Sequence, residues 1–185
     1  MELYVTRHGE TEWNAQSRVC GLTDVDLTPL GEQQAARMAE SVAGYPITRI
    51  LCSPLLRARK TADYAARALR VPVETEPRLI ELNYGRLEGT DRRSEAFLQS
   101  KRQLAARYPE GESALDGACR VYSLLEELRN RPDETFLLVA HNGICRIIHT
   151  YFHDLTNEEY FSFSYDNCQV RRYEYQQGIS VLSAY

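Results

Sequence analysis

The stretch Phe-Leu-Leu-Val-Ala-His-Asn-Gly, residues 136–143, decides the fold class. Residues 136–140 are continuously apolar, whereas a strand with one solvated face alternates apolar and polar residues. A continuous run of this length is typical of a strand that is covered on both faces, as in a parallel sheet. The run ends in an imidazole, an amide and a glycine, which predicts a strand whose polar end faces a ligand site.

Three further apolar runs separate stretches with helical patterns. They are Leu3-Tyr4-Val5, Ile50-Leu51-Cys52 and Val71-Pro72-Val73. Because strands and helices alternate along the chain, the sequence predicts an α/β fold in which helices cover both faces of a mostly parallel sheet. The chain contains no repeat and no interdomain linker, so we expect a single domain over residues 1–185.

Capping residues predict where three of the helices begin. Thr28-Pro29 and Ser53-Pro54 each place a hydroxyl side chain before a proline, which is favoured at the first helical position. Ser113, with Asp116 three residues later, matches a capping box and opens a helix that must stop before Pro132. Arg57 is therefore expected in the first turn of the second of these helices.

Two segments depart from this alternation. Residues 86–112 are polar and rich in arginine and lysine, so we expect an inserted cap, a helix or lid, rather than a core element. The tail alternates apolar and polar residues around Val170, Tyr173 and Tyr175, turns at Gln177-Gly178 and resumes with Ile179, which predicts a hairpin.

Composition excludes several classes of protein. Hydrophobic residues make up 43% of the 185 residues and charged residues 26%, and no apolar run approaches the roughly 20 residues of a membrane span. The N-terminus lacks the pattern of a signal peptide, so a cytoplasmic location is expected. With a net charge of −4, neither nucleic acid nor a membrane is an expected partner, and an anion must be held by a local cluster of cations.

Cysteine and histidine spacings give no sign of a metal site. The chain has 5 cysteines without a C-x-x-C pair, and we expect reduced thiols. His149 and His153 stand four residues apart, but the intervening residues lack the glutamate of H-E-x-x-H. We expect these histidines to form a helix face and a cation near the helix C-terminus rather than to bind a metal.

Polar residues follow each of the four predicted strands. Arg7-His8-Gly9 follows the first, Arg57 comes soon after the second, Glu81 lies after the third, and His141-Asn142-Gly143 follows the fourth. Because ligands bind at the carboxyl edge of open parallel sheets, we expect these groups to converge. Paired guanidiniums and imidazoles suit the oxygens of a phosphoryl group, and a glutamic acid could protonate a departing oxygen.

Blocks of sequence that include these residues resemble the histidine phosphatase superfamily, in its phosphoglycerate mutase-like branch. The blocks, in chain order, are RHGETEWN (7–14), GLTDVDLTPLGEQQA (21–35), SPLLRARKTA (53–62), ELNYGRLEG (81–89), YPEGES (108–113) and AHNG (140–143). The resemblance implies a three-layer α/β/α sandwich with a mostly parallel sheet. It extends over nearly the whole chain, and neither a metal nor an organic cofactor is expected.

The resemblance also implies roles for single residues. His8 matches the phosphorylated nucleophile and Glu81 the proton donor, while Arg7, Arg57 and His141 match the groups that bind the phosphoryl group. The further candidates for substrate binding are Asn14, Gly21, Asn142 and Gly143.

Phosphatases and mutases share these residues. The short chain, Leu87-Glu88-Gly89 and the block that begins at Pro109 resemble small bacterial phosphatases, including the α-ribazole phosphatase-like group. We therefore expect a hydrolase that acts on a small phosphorylated metabolite. The alternatives are a mutase-type phosphotransferase and a phospho-ligand binding module; the sequence leaves the substrate and the oligomeric state open.

Overall fold

The computed structural model describes residues 2–175. Five strands form one sheet: β1 (Glu2–Arg7), β2 (Arg49–Cys52), β3 (Val73–Thr75), β4 (Phe136–Ala140) and β5 (Val170–Glu174). The helices are α1 (Glu12–Ala15), α2 (Pro29–Val42), α3 (Leu56–Leu69), α4 (Glu95–Lys101), α5 (Ala114–Arg129), α6 (Asn142–Phe152) and α7 (Asn157–Ser162), with single 3₁₀ turns at Pro77–Leu79 and Gly85–Leu87.

The sheet has the strand order β3-β2-β4-β1-β5. Strands β1 to β4 pair in parallel, and β5 alone runs antiparallel, along β1. The continuous apolar run of β4 lies at the centre of the sheet and is buried at every residue, as its pattern predicts. The prediction of a mostly parallel sheet is confirmed.

Helices cover both faces of this sheet. Tyr4, Ile50 and Leu137 face a layer built from α2 and α3, where small side chains such as Ala58 and Ala62 let the helix approach closely. The alternate strand positions face a layer built from α5 and α6. This is the three-layer α/β/α sandwich that the family resemblance implied.

Two of the predicted helix starts are confirmed and one is wrong. Thr28 caps α2, and the capping box of Ser113 opens α5. The third helix, α3, begins at Leu56 rather than at Pro54, because the Ser53 hydroxyl accepts the backbone N–H of Leu55 within a turn. Arg57 nevertheless lies in the first turn of α3, as expected.

The polar segment 86–112 contains the expected helix, α4. The expectation that it stays out of the core is wrong for two side chains, because Phe97 and Tyr108 are buried in the larger core cluster against Tyr84. In the tail, the first strand of the expected hairpin is present as β5; its turn and its second strand lie outside the described residues.

None of the helices within residues 2–175 is long and apolar enough to cross a membrane.

Candidate active site

Strands β1 and β4 bring two histidines together at the carboxyl edge of the sheet. Arg7, the last residue of β1, pairs with Ala140, the last residue of β4, so His8 and His141 both follow directly. Their ring centroids lie 5.0 Å apart. The expected convergence of strand ends is therefore present in the structure.

The imidazole of His8 is held in one tautomer. Its Nδ1 lies 2.7 Å from the carbonyl oxygen of Gly9, which can only accept a hydrogen bond, so Nδ1 carries the proton. The residue is 3% exposed, and burial, followed by the charges of Arg57 and Arg7, lowers the pKa of His8 well below its usual value. His8 is thus neutral near pH 7, with an unprotonated Nε2.

His141 is held on both of its nitrogens. Arg57 donates from Nε to His141 Nδ1 at 3.3 Å, and His141 Nε2 therefore carries the proton that it donates to the Ser53 hydroxyl oxygen at 2.7 Å. Burial, and then the charge of Arg57, lowers the pKa of His141 well below its usual value. This imidazole is a neutral group in a fixed orientation.

Arg57 lies behind the two imidazoles and is fully buried. Its Nη1 donates to the carbonyl oxygen of Thr23 at 2.9 Å and its Nη2 to that of Gly21 at 2.7 Å. The side chain therefore ties the 21–23 loop to α3. Gly21 contributes a carbonyl oxygen to this network, and a Cβ at that position would lie 2.6 Å from the carbonyl oxygen of Leu82.

Arg7, the last residue of β1, has a buried donor atom without a partner among the described residues. Its Nη1 donates to the carbonyl oxygen of Tyr165 at 2.9 Å, while its buried Nε has no hydrogen-bond partner within residues 2–175. Burial, and then the charge of Arg92, lowers the pKa of Arg7. A buried donor without a partner is costly, so an anion at this position would stabilise the site.

Glu81 lies against the start of α6. Its Oε1 accepts the backbone N–H of Leu82 at 2.9 Å, and its Oε2 accepts the backbone N–H of Gly143 at 3.1 Å. The side chain is 4% exposed, and burial raises its pKa above the usual value despite these bonds. A carboxyl group that retains its proton more readily is suited to act as a general acid.

The two predicted asparagines, Asn14 and Asn142, differ in the hydrogen bonds that their side-chain amides already form. Asn14 Oδ1 accepts from the backbone N–H of Thr11 and from Asn167 Nδ2, both at 3.3 Å, so its amide nitrogen is the end available to an anion. Asn142 is the first residue of α6, and its Oδ1 accepts the backbone N–H of Tyr165 at 2.9 Å. Both side chains line a cavity of about 250 Å³.

This cavity includes only some of the predicted residues in its wall. Arg7, His8, Asn14, Glu81 and Asn142 line it. The other predicted residues, Arg57, His141, Gly21 and Gly143, do not line it. Gly143 holds the lining residue Glu81, while Arg57 binds His141 and the carbonyl oxygens of the 21–23 loop.

The cavity wall also contains groups to which the sequence assigned no role. They are four cations, Arg18, Arg92, Lys101 and Arg146, and four aromatic side chains, Tyr84, Phe97, Tyr108 and Tyr160. Arg92 and Lys101 belong to the basic segment whose role was unassigned. The signal for Arg146 was an arginine within the apolar face of α6, where a charge is costly to bury.

The two remaining histidines are occupied by aromatic contacts. The His149 ring stacks on Phe163 at a centroid distance of 3.9 Å, and burial, followed by the charge of His153, lowers its pKa to about 4. The expectation that they supply a cation at the helix end is therefore wrong for His149, which is neutral near pH 7. Within residues 2–175 no group of three or more metal-ligating side chains comes together.

Comparison with known proteins shows the family of this chain. The family model described as histidine phosphatase superfamily (branch 1) matches residues 3–185. The chain belongs to the histidine phosphatase superfamily. This confirms the resemblance that the sequence blocks carried.

Relatives within the histidine phosphatase superfamily carry names of two kinds. The chain is 35% identical over 193 residues to a probable phosphoglycerate mutase, GpmB, of Escherichia coli O1:K1 / APEC, covering 100% of this chain and 90% of the relative. Among solved structures, a mycobacterial glucosyl-3-phosphoglycerate phosphatase superposes with a TM-score of 0.82 at 27% identity, covering 92% of this chain and 88% of that one. A putative α-ribazole-5'-P phosphatase of Escherichia coli K-12 has a TM-score of 0.82 at 25% identity, covering 93% and 89%. An enzyme of phosphoryl transfer is thereby supported.

Proposed function

We propose that this histidine phosphatase hydrolyses a small phosphomonoester through a phosphohistidine formed at His8. The observation that carries the proposal is the bond from His8 Nδ1 to the Gly9 carbonyl oxygen at 2.7 Å. It fixes the proton on Nδ1 and presents the lone pair of Nε2 as the nucleophile. The lowered pKa of the ring keeps that lone pair free of a proton near pH 7.

The phosphoryl group is held by donors around His8. Arg7 offers the buried Nε that has no partner within residues 2–175, and Asn14 offers its amide nitrogen. Arg57 adds its positive charge from behind and positions His141 rather than forming a second exposed fork. A phosphoryl transition state spreads negative charge over its oxygens, so these fixed donors and charges stabilise it.

In the first step, the lone pair of His8 Nε2 attacks the phosphorus and the bond from phosphorus to the ester oxygen breaks. The departing oxygen takes the electron pair of that bond and receives the proton of the Glu81 carboxyl group, which leaves as the alcohol's hydroxyl hydrogen. The products of this step are the free alcohol, phosphorylated His8 and an ionised Glu81.

In the second step, the Glu81 carboxylate removes a proton from water. The water oxygen attacks the phosphorus, the bond from phosphorus to nitrogen breaks, and its electrons return to His8 Nε2. Inorganic phosphate leaves, and both His8 and Glu81 regain their starting protonation states. One carboxyl group thus serves as acid and then as base.

The alternative outcome is a mutase, in which a second substrate hydroxyl takes the place of water. The name of the Escherichia coli relative favours it, while the names of the two structural relatives favour hydrolysis. The two activities differ in one measurable product, since a hydrolase releases one phosphate for each ester consumed and a mutase releases little.

The test is turnover of p-nitrophenyl phosphate without added metal, together with quenching under conditions that preserve acid-labile phosphohistidine. We expect equal release of p-nitrophenol and phosphate, a trapped phosphoprotein, and loss of both in His8→Ala. The exposed His153 provides a matched control, because His153→Ala removes an imidazole that does not line the cavity. Wild-type turnover in His8→Ala would overturn the mechanism, and isomerisation of phosphoglycerate with little phosphate release would favour the mutase.

A further inference from the structure

In addition to Arg7 and Arg18, three cations that line the cavity have no ionic partner within residues 2–175. Arg92, Lys101 and Arg146 line the cavity, and none of them forms a salt bridge in the described part of the chain. Among the described residues, Glu81 is the only carboxylate that lines the cavity. The wall is therefore strongly positive in a protein whose net charge is −4.

Arg146 is held in this position by the backbone. Its Nε and Nη2 donate to the carbonyl oxygen of Phe163 at 3.1 and 2.9 Å, and its guanidinium lies 5.4 Å from the centre of the Tyr160 ring. The residue is 6% exposed. Both of these hydrogen bonds use one edge of the guanidinium, so the second terminal nitrogen, Nη1, is not engaged by Phe163.

Lys101 approaches the same place from the C-terminal end of α4. Its Nζ donates to the carbonyl oxygen of Phe161 at 3.0 Å, a bond that fixes the ammonium without neutralising it. Burial, and then the charges of Arg146 and Arg92, lowers its pKa to about 8. Holding like charges this close in a partly buried wall costs free energy that an anion would offset.

Arg92 connects this group of cations to the reacting end of the cavity. It lines the same cavity as Arg7 and Lys101, and its charge lowers the pKa of each. The lining therefore brings Arg7, Arg92, Lys101 and Arg146 into one cavity with His8. Tyr84 and Phe97 line the same cavity with apolar surface.

We propose that Arg92, Lys101 and Arg146 form a distal anion site, and that the natural substrate is a phosphomonoester carrying a second anionic group, a carboxylate or a second phosphate. The inference rests on the proposed function, because it assumes that the phosphoryl group is seated at His8. An ordinary solvent-exposed basic surface does not account for these three cations, because Arg146 is buried and Lys101 Nζ is bonded to a backbone carbonyl oxygen.

The experiment compares pairs of substrates that differ in the second acidic group. For the carboxylate the pair is 3-phosphoglycerate and glycerol 3-phosphate; for the second phosphate it is fructose 1,6-bisphosphate and fructose 6-phosphate. We expect kcat/KM for phosphate release to be at least about tenfold higher for the diacidic member of one pair, and the pair that responds identifies the group.

Lys101→Met should reduce the ratio of kcat/KM between the two members of the responding pair about tenfold. Arg92→Met is expected to have the same effect and serves as the test if Lys101→Met does not fold. Arg102→Met is the matched control, because Arg102 is an exposed cation next to Lys101 that does not line the cavity. Ratios near one in both pairs, or a ratio that survives both substitutions, would refute the distal site while phosphate release still supported the proposed function. Absence of phosphate release from every ester would instead overturn the proposed function.

Discussion

Gly143 donates its backbone N–H to Glu81 Oε2 at 3.1 Å, and a Cβ at residue 143 would lie 2.5 Å from Glu81 Oε1. The same Cβ would lie 2.9 Å from the hydroxyl oxygen of Tyr84. The glycine that follows His141-Asn142 is therefore needed for a specific contact. It allows the carboxyl group to approach the start of α6 closely enough to be held by a backbone donor.

Replacement of Gly143 by alanine should therefore displace Glu81. We expect Gly143→Ala to lower kcat about 10- to 100-fold, because a proton donor that is misplaced by about 1 Å loses most of its effect. Steady-state kinetics with glycerol 3-phosphate measure this. Gly44→Ala is the control, since a Cβ at residue 44 would meet nothing within 4 Å. Equal effects of the two substitutions would contradict the positioning role of Gly143.

Glu81→Gln should remove the proton donor while keeping the shape of the side chain. An alkoxide leaves poorly without a proton and p-nitrophenolate leaves well, so kcat/KM, which reports the first step and not the shared hydrolysis of phosphohistidine, should fall by about 10²- to 10⁴-fold for glycerol 3-phosphate and much less for p-nitrophenyl phosphate. A uniform loss on both esters would argue against general acid catalysis by Glu81.

The pH profile of kcat/KM should report the ionisation of two groups, His8 and Glu81. His8 must be neutral, and because its pKa is lowered, the acidic limb should lie below the usual histidine value. Glu81 must be protonated for the first step, and because its pKa is raised, the basic limb should lie above the usual glutamate value. Glu81→Gln should abolish the basic limb and leave the acidic limb in place. Persistence of the basic limb in the variant would assign it to another group.

The sequence predicted the two histidines and Glu81 as one site because strand ends in a parallel sheet meet at one edge, a rule that needs only the order of elements. It did not predict how Arg57 is used. Whether a guanidinium faces a ligand or binds loop carbonyls depends on where the loop returns, and the 21–23 loop is placed by contacts distant in sequence. The sequence did not identify Arg146 for a similar reason. Helical spacing places this arginine on the apolar face of α6, but spacing alone does not show whether its charge is buried beside a ligand site or only interrupts the packing.

A capping box depends only on residues that are close in sequence, and its contribution to stability can be tested on α5. Ser113 accepts the backbone N–H of Asp116 at 3.1 Å, and Asp116 accepts the backbone N–H of Ser113 at 2.9 Å. Ser113→Ala should lower the free energy of unfolding by about 1 kcal/mol, or Tm by about 2 to 4 °C. Ser123→Ala, at an exposed position within the same helix, is the control. A thermal melt in which both variants behave alike would exclude a stabilising cap.

The distal anion site should also make substrate preference depend on pH. The pKa of Lys101 is lowered to about 8, so its ammonium loses its proton as the pH rises through that value and the attraction for a second acidic group weakens. The charges of Arg146 and Arg92 act on it, and burial raises the pKa values of Tyr108 and Tyr160 away from this range. The substrate phosphate is already ionised, since its second pKa is about 6.

We therefore expect the kcat/KM ratio of the responding diacidic ester to its monoacid partner to fall between about pH 7 and about pH 9. Lys101→Arg keeps a positive charge that does not titrate in this range, so its ratio should stay level. A ratio that falls equally in the wild type and in Lys101→Arg would locate the titrating group elsewhere in the cavity. A kcat/KM ratio that does not change with pH in the wild type would mean that Lys101 does not contact the second acidic group. Loss of the Lys101 charge would weaken such a contact and lower the ratio.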